Sequence, residues 1–262
     1  PFWGSLLDQR SPFKLAFTGV EGIFGIHVFP AFQSGTVHVA PGGMWAAADT
    51  FTITIKGAKG HAARPHQSRD AMVGAAAAIL SLQTIASRET DPLASVVVGI
   101  GTIRGGWKEN VVCDEVTMTG TVRTLDPVIR EEIPGRMERI LTGVGHAHRV
   151  DVELDYRKGY PVLVNAEREA MLVREAAAAV VGPDRVKTLR PSLGGEDFAY
   201  YLERIPGCFF RLGSWDPQMG TPPDLHMSTF DIDERILPVG AQLHAEVAKR
   251  FLTAGNESPT AG

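Results

Sequence analysis

The sequence predicts two domains, an α/β layer made from residues 1–45 and 161–252 and an α+β domain of residues 46–160 inserted into it. Residues 46–160 follow the order strand–helix–strand–strand–helix–strand, which is typical of a ferredoxin-like sheet of four strands with two helices on one face. Helices alternate with short apolar strands in the flanking segments, which indicates an α/β layer. We expect residues 253–262 to form a disordered tail.

The inserted domain has a local signal for each element. AADTFTITIKG alternates apolar and threonine side chains, which predicts a half-buried strand. After the glycine-rich turn GAKGHAARPH we expect a helix over residues 68–88, with Ser68 as its N-cap. The remaining segments predict two strands, a helix over residues 128–142 that Pro134 bends or begins, and a fourth strand, VDVELDYRKGYP.

The flanking segments offer fewer strands. FTGVEGIFGIHVFP predicts a buried strand that ends near His27, and CFFRLG predicts another. Helices are expected over Glu167–Val181, after the glycine turn of GGEDF at Glu196, and over DERILPVGAQLHAEVAKRFL. Because convincing parallel strands are few, we expect this α/β layer to be incomplete.

Composition excludes several classes of protein. With 44% hydrophobic residues among 262, the chain is expected to fold rather than to be disordered. No transmembrane helix is predicted, because we find no run of about 18 uncharged apolar residues. A net charge of −4 without a basic stripe argues against nucleic acid as a partner. Two cysteines and the lack of a recognisable signal peptide favour a cytoplasmic location.

Three histidines are candidates for chemistry. His27 lies where an apolar strand meets a loop, a place where α/β sheets bind ligands, and a metal ion would satisfy one of its ring nitrogens. His226 lies on a loop before the terminal helix, and His61 lies in the glycine-rich turn. The alternative is structural: a core histidine bonded to the backbone for His27, and an exposed loop or turn residue for the other two.

Two features suit an anion. The glycine turn of Gly194, Gly195 and Glu196 exposes backbone N–H groups that suit a carboxylate, or its acidic residues simply cap the following helix. Arg123, at the end of its strand, has a guanidinium that holds a carboxylate in a two-pronged geometry, or it forms a surface ion pair. The sequence contains no GxSxG elbow, no P-loop and no HExxH helix.

Six segments together resemble the dinuclear-metal aminoacylase and carboxypeptidase family. The closest branch looks like the amidohydrolases that split hippurate-type conjugates, auxin–amino-acid conjugates and N-acetyl-diaminopimelate. In the family's order, from about Val20 to Leu252, the segments are VEGIFGIHVFP, GAKGHAARPHQSRDA, LQTIASRETDPL, KENVVCDEVTMTGTVRT, LGGEDFAYYL and DLHMSTFDIDERILPVGA.

The resemblance implies a partial hydrolase-like catalytic domain with an inserted lid and dimerisation domain, and hence a homodimer through residues 46–160. It implies metal-assisted hydrolysis of the amide bond of an N-acyl amino acid, with two divalent ions, zinc or manganese, that activate a water. His27 and His226 match metal ligands of the family. His61 matches the lid-domain histidine that stabilises the tetrahedral oxyanion, often in the partner subunit.

The resemblance also implies residues that bind the substrate. Asn110 and Arg123 match polar positions of the inserted domain that contact it. The loop beside the substrate carboxylate is matched by Gly194, Gly195 and Glu196.

The sequence departs from the family at its beginning. It lacks a His/Cys-x-x-Gly-His-Asp ligand motif and the paired glutamates that supply a ligand and the general base; the pair Glu131–Glu132 lies in a predicted helix of the insert. Residues 1–16 match none of the family's motifs. We therefore expect a chain that corresponds to the C-terminal two-thirds of such an enzyme and hydrolyses little by itself. The alternatives are a non-catalytic dimerisation or binding module, or ligands borrowed from another chain.

Overall fold

The computed structural model describes residues 17–220 and 224–255. Its strands are β1 (Ile23–Gln33), β2 (Val37–Val39), β3 (Gly42–Trp45), β4 (Ala47–Lys56), β5 (Gly60–His61), β6 (Val96–Gly105), β7 (Val111–Val112), β8 (Glu115–Thr124), β9 (Asp151–Tyr160), β10 (Leu163–Asn165), β11 (Val186–Thr188) and β12 (Gly207–Trp215). Its α-helices are α1 (Ala71–Leu82), α2 (Thr84–Arg88), α3 (Pro127–His148), α4 (Glu167–Val181), α5 (Ala199–Leu202) and α6 (Leu237–Gly255).

The fold divides into two compact units. Unit 1 contains the described residues of 1–42, 164–190 and 200–262, and unit 2 contains residues 43–163 and 191–199. Unit 2 therefore includes residues 191–199, which lie outside the predicted insert of 46–160.

Unit 2 is built on an antiparallel sheet with the strand order β6-β8-β4-β9. The chain runs β4–α1–β6–β8–α3–β9, which is the order that the sequence predicts. Alternation along β4 turns Phe51, Ile53 and Ile55 toward a core that includes apolar residues of α1 and α3. The opposite face of β4 carries the threonines, so helices cover one face of the sheet and polar side chains line the other.

The helix boundaries in unit 2 correct two predictions. Asp70, not Ser68, is the N-cap of α1, because its carboxylate accepts hydrogen bonds from the N–H groups of Met72 (2.9 Å) and Val73 (3.4 Å). Ser68 is buried and donates to the carbonyl oxygen of Pro65 (2.9 Å) instead. The helix predicted over residues 128–142 is α3. It begins at Pro127, after the N-cap Asp126, and continues to His148 with Pro134 inside it.

One stretch of unit 2 is more apolar than the absence of a predicted transmembrane helix implies. Residues 71–88 are long and apolar enough, by length and composition alone, to cross a membrane. In the structure one face of α1 packs into the unit 2 core through Ala71, Ala75, Ala78 and Leu82. This packing is that of a core helix in a globular unit.

Unit 1 contains a mixed sheet in the order β1-β12-β2-β11. Strand β1 runs parallel to β12, β12 antiparallel to β2, and β2 parallel to β11. Helices α4 and α6 cover one face, with a core that includes Val173, Leu243, Phe210 and Leu212. Helix α6 continues to Gly255, so the predicted disorder of residues 253–255 is wrong, while residues 256–262 lie outside the described part.

Candidate functional site

His27 lies on β1 in unit 1, on the sheet face away from α4 and α6. Its neighbours in the strand, Ile26 and Val28, pack against the core on the helix side, and its own ring lies edge-on to Phe29 and Phe209. The Nδ1 atom lies 2.5 Å from the carbonyl oxygen of Val28, to which it donates. That bond leaves the lone pair on Nε2, which is the arrangement of a histidine that ligates a metal ion.

His226 lies in a turn between β12 and α6 in unit 1, exposed to solvent. Its φ of 65° is in the left-handed region, which a residue other than glycine adopts rarely and often at functional sites. Arg235 joins the two ends of this connection, because it pairs with Asp216 after β12 and with Asp233 before α6 (Nε–Oδ1 2.7 Å). Hydrogen bonds from Arg235 lower the pKa of Asp233 to about 2, so this clamp stays charged at neutral pH.

The imidazoles of His27 and His226 do not by themselves form a metal site. Across residues 17–220 and 224–255, no three His, Cys, Asp or Glu side chains form a group that could hold a metal ion. A dinuclear site needs about three to four protein ligands per ion, so the described donor set does not by itself fit two ions.

His61 and Asn110 lie next to each other in unit 2. The short strands β5 and β7 pair Gly60 with Val112 and His61 with Val111, and the N–H of Ala62 donates to the carbonyl oxygen of Asn110 (3.1 Å). The exposed His61 accepts a hydrogen bond at Nδ1 from the N–H of Ala63 (3.1 Å). In its neutral form this histidine therefore carries its proton on Nε2, the nitrogen that faces away from that contact.

Arg123 and Gly195 also meet in unit 2. Arg123 lies on the sheet face opposite the helices and is the cross-strand partner of Ala48. A Cβ built on Gly195 would lie 3.1 Å from the Cβ of Ala48 and 3.5 Å from Nη1 of Arg123. This Cβ would be tight against Ala48 but in ordinary van der Waals contact with the guanidinium, so the loop of Gly194, Gly195 and Glu196 packs beside both side chains.

The rest of the glycine loop is anchored to the same unit. The N–H of Ala46 donates to the carbonyl oxygen of Gly194 (3.0 Å), and the N–H of Gly194 donates to Ser192 Oγ (3.3 Å). Glu196 does not open a helix as predicted, because the four-residue α5 begins only at Ala199. Its carboxylate accepts from the N–H of Phe198 (3.2 Å), and burial raises its pKa above the usual value.

Unit 2 contains a buried charge cluster that the sequence did not predict. Asp49, with 1% of its surface exposed, accepts hydrogen bonds from Nε (3.0 Å) and Nη2 (2.6 Å) of Arg130 on α3. Its carboxylate also accepts from Tyr156 Oη (2.9 Å) and from the N–H of Gly159 (2.8 Å). Burial and the Asp49 charge raise the pKa of Tyr156. One signal was present in the sequence: Asp49 shares the alternation of Phe51 and Ile53, so an acidic residue points into an apolar face and needs a partner.

The model of the peptidase family M20/M25/M40 matches residues 8–250. The chain belongs to this family. The M20 match begins inside residues 1–16, so our expectation that this whole stretch falls outside the family is wrong from residue 8 onward.

Individual relatives agree with the M20 assignment. A probable hydrolase of Synechocystis is 40% identical over 228 residues, covering 86% of this chain and 58% of that protein. The N-acetyl-L-cysteine deacetylase of Bacillus subtilis is 37% identical over 244 residues, covering 92% of this chain and 56% of the deacetylase. A crystal structure of a dinuclear metal binding M20 peptidase from B. subtilis superposes with a TM-score of 0.74 at 32% identity, covering 89% of this chain and 58% of that one.

Two facts follow for the M20 chain. It shares the mixed α/β fold of M20 peptidases. It spans just over half of the length of these relatives.

Proposed function

We propose that this chain carries substrate-binding and metal-binding residues of an M20 amidohydrolase that cleaves the amide bond of N-acyl amino acids. The relationship to a deacetylase of an N-acetyl amino acid supports the substrate class. In this reaction water adds to the amide carbonyl carbon, the C–N bond breaks, and a carboxylic acid and a free amine are released.

The observation that carries the proposal is the contact between Arg123 and the glycine loop. An N-acyl amino acid presents one carboxylate, and a guanidinium beside backbone N–H groups is the arrangement that binds a carboxylate strongly. Arg123 is partly exposed on the sheet face and lies against Gly195, so its fork is available for such an anion.

His61 fits a role toward the carbonyl oxygen. With Nδ1 occupied by the N–H of Ala63, its Nε2–H is a donor on an exposed turn of unit 2. A donor of this kind stabilises the negative charge that develops on the carbonyl oxygen as water adds. Asn110, whose backbone pairs with the residue after His61, would contribute a polar group at the same place.

His27 and His226 would be the ligands that this chain contributes to divalent metal, through Nε2 of His27 in particular. A bound divalent ion in such an enzyme polarises the carbonyl and lowers the pKa of a water. Because two imidazoles fall short of a dinuclear ligand set, we expect the chain by itself to bind N-acyl amino acids and to hydrolyse them slowly or not at all.

The test is a titration of the full chain with N-acetyl-L-alanine, followed by NMR, alongside metal content per chain and release of free alanine in added zinc or manganese. Arg123→Met should weaken binding by about 10- to 100-fold, because it removes charge-assisted hydrogen bonds. The matched control is Arg157→Met, which removes an exposed arginine from the same sheet face, where it pairs with Asp155 (2.6 Å).

The outcomes separate the hypotheses. Binding that Arg123→Met abolishes and Arg157→Met preserves supports the proposal. The proposal is wrong if the wild-type chain does not bind the compound, or if both variants weaken binding equally. Rapid turnover with about two metal ions per chain would overturn the expectation of slow hydrolysis and require further ligands.

A second candidate is a non-catalytic module that self-associates through unit 2, as a lid and dimerisation domain would. Exposed apolar side chains on α1 favour it, with Val73 at 52% and Leu80 at 74% exposure. The strand β6, at one edge of the unit 2 sheet, adds Ile103 at 50%. Apolar surface of this kind marks protein–protein contact sites, so we propose a homodimer through this surface in either case.

A further inference from the structure

We infer that Tyr160 forms a wall of the subsite that receives the amino-acid half of the substrate, and that the buried pair Asp49–Arg130 is the positioning device that holds it there. This inference rests on the proposed function, because it assigns the substrate carboxylate to Arg123. All of the residues involved lie in unit 2.

A β-bulge determines the face on which Tyr160 lies. Strand β9 pairs Arg157 with Thr50 and Tyr160 with Ala48, so three steps along β9 match two steps along β4. In a regular strand Tyr160 would share the helix-covered face with Tyr156. The extra residue moves Tyr160 to the opposite face, which is how bulges redirect side chains near active sites.

The bulge places Tyr160 in one row with Arg123. Ala48 is the cross-strand partner of Arg123 on one side and of Tyr160 on the other. A Cβ built on Gly195 would lie 2.9 Å from Cδ2 of Tyr160, as well as 3.5 Å from Nη1 of Arg123. The aromatic ring, the guanidinium and the glycine loop therefore converge above Ala48.

The row has the geometry of a side-chain subsite. In an amino acid the side chain and the carboxylate branch from the same carbon, so a carboxylate held at Arg123 brings the side chain close to whatever flanks it. Tyr160 flanks it with 37% of the residue exposed, so this side chain borders the space beside the guanidinium. The ring limits the room available there, and its removal should favour larger amino-acid side chains.

The buried pair holds the bulge by its backbone. The Gly159 N–H donates to Asp49 (2.8 Å), and the Gly159 carbonyl oxygen accepts from Nη2 of Arg130 (2.9 Å). A side chain at Gly159 would collide with the carbonyl oxygen of Ala48, so the bulge needs glycine. Fixing the register of packed elements is the best-attested use of a buried ion pair. Here the pair hydrogen-bonds both the N–H and the carbonyl oxygen of Gly159 in the bulge.

The experiment measures affinities of the full chain for N-acetyl-L-alanine and N-acetyl-L-phenylalanine by NMR titration. Tyr160→Ala should raise the affinity for the phenylalanine compound relative to the alanine compound by about tenfold. Tyr160→Phe keeps the ring and should keep the wild-type ratio, and Arg157→Met on the same face should also leave the ratio unchanged. If Tyr160→Ala changes the affinity for both compounds equally, Tyr160 does not form a wall of the side-chain subsite.

The positioning role is tested with the double variant Asp49→Leu/Arg130→Met, because an apolar pair avoids leaving one buried charge unpaired. It should accelerate hydrogen exchange of the Gly159 amide, remove the nuclear Overhauser contact between the Tyr160 ring and Gly195, and shift the affinity ratio as Tyr160→Ala does. An unchanged ring contact in the folded double variant would overturn the role. If the wild-type chain binds neither compound, the proposed function fails, while the ring contact and the exchange rate still test the positioning separately.

Discussion

His38 is held neutral by its surroundings in unit 1. Its ring stacks on Phe32 at 3.7 Å, and its Nε2 lies 3.1 Å from Thr36 Oγ1, which donates its own proton to Gln33. Burial, and then the positive charges of Arg211 and Lys187, lower the pKa of His38 from 6.5 to about 4. The folded protein therefore takes up this proton less readily than the unfolded chain.

This shift predicts a pH dependence of stability. Between pH 6.5 and about 4 the unfolded chain binds a proton at His38 that the folded chain does not, so the free energy of unfolding should fall as the pH falls through this window. His38→Phe retains a ring against Phe32 without a titrating group and should flatten that slope. Urea unfolding at pH 7, 6, 5 and 4.5 measures it, and equal slopes for the two proteins would refute the prediction.

At the residue scale, the sequence was informative where a short motif surrounds a candidate. Arg123 and Gly195, which two separate motifs single out, lie together in the structure, and so do His61 and the backbone of Asn110. Tyr160 was not predicted, because its position depends on a bulge. That bulge depends in turn on Asp49 and Arg130, which are far apart in the sequence and reveal their pairing only once β4 and α3 are packed.

At the scale of single elements, two glycines of unit 2 should respond oppositely to alanine. A Cβ on Gly143, inside α3, meets nothing within 4 Å, whereas a Cβ on Gly120, in β8, would collide with the Phe51 ring and the Gly99 carbonyl oxygen. Gly143→Ala should stabilise the protein by about 0.5–1 kcal/mol, because alanine loses less backbone entropy in a helix. Gly120→Ala should destabilise it by about 1–3 kcal/mol through overpacking.

Thermal unfolding of both variants, followed by circular dichroism, checks these signs. A lower melting temperature for Gly143→Ala, or an unchanged one for Gly120→Ala, would contradict the packing described for α3 and β8.

Elements with a local signal were predicted best. The alternation in β4 and the apolar runs of β6 and β12 identify strands without reference to any partner. Boundaries were less well predicted, because several residues compete for the same role. Ser68 and Asp70 are both residue types that favour N-caps. The Ser68 hydroxyl donates to Pro65 in the short turn at Pro65–Gln67, so Asp70 is the residue that caps α1.

At the scale of the whole molecule, the apolar surface of unit 2 predicts self-association. Leu80→Lys places a charge on the exposed face of α1 and should shift the chain from dimer toward monomer in sedimentation equilibrium. Val128→Lys, at an exposed apolar position of α3 (67% exposure), is the matched control and should leave the dimer intact. A monomeric wild-type chain, or dissociation by both variants, would argue against dimerisation through α1.

The pairing of β1 with β12 has a consequence for synthesis of the chain. The residues that form the core of unit 2 lie within one continuous stretch of the chain. Unit 2 can therefore form its core as soon as β9 has left the ribosome. Strand β1 is made before unit 2, yet the strand with which it pairs, β12, is made only after unit 2. During that interval the apolar, eleven-residue β1 segment is not yet paired with β12. Pro30 within it has no N–H to donate, so the segment pairs less readily with strands of other chains.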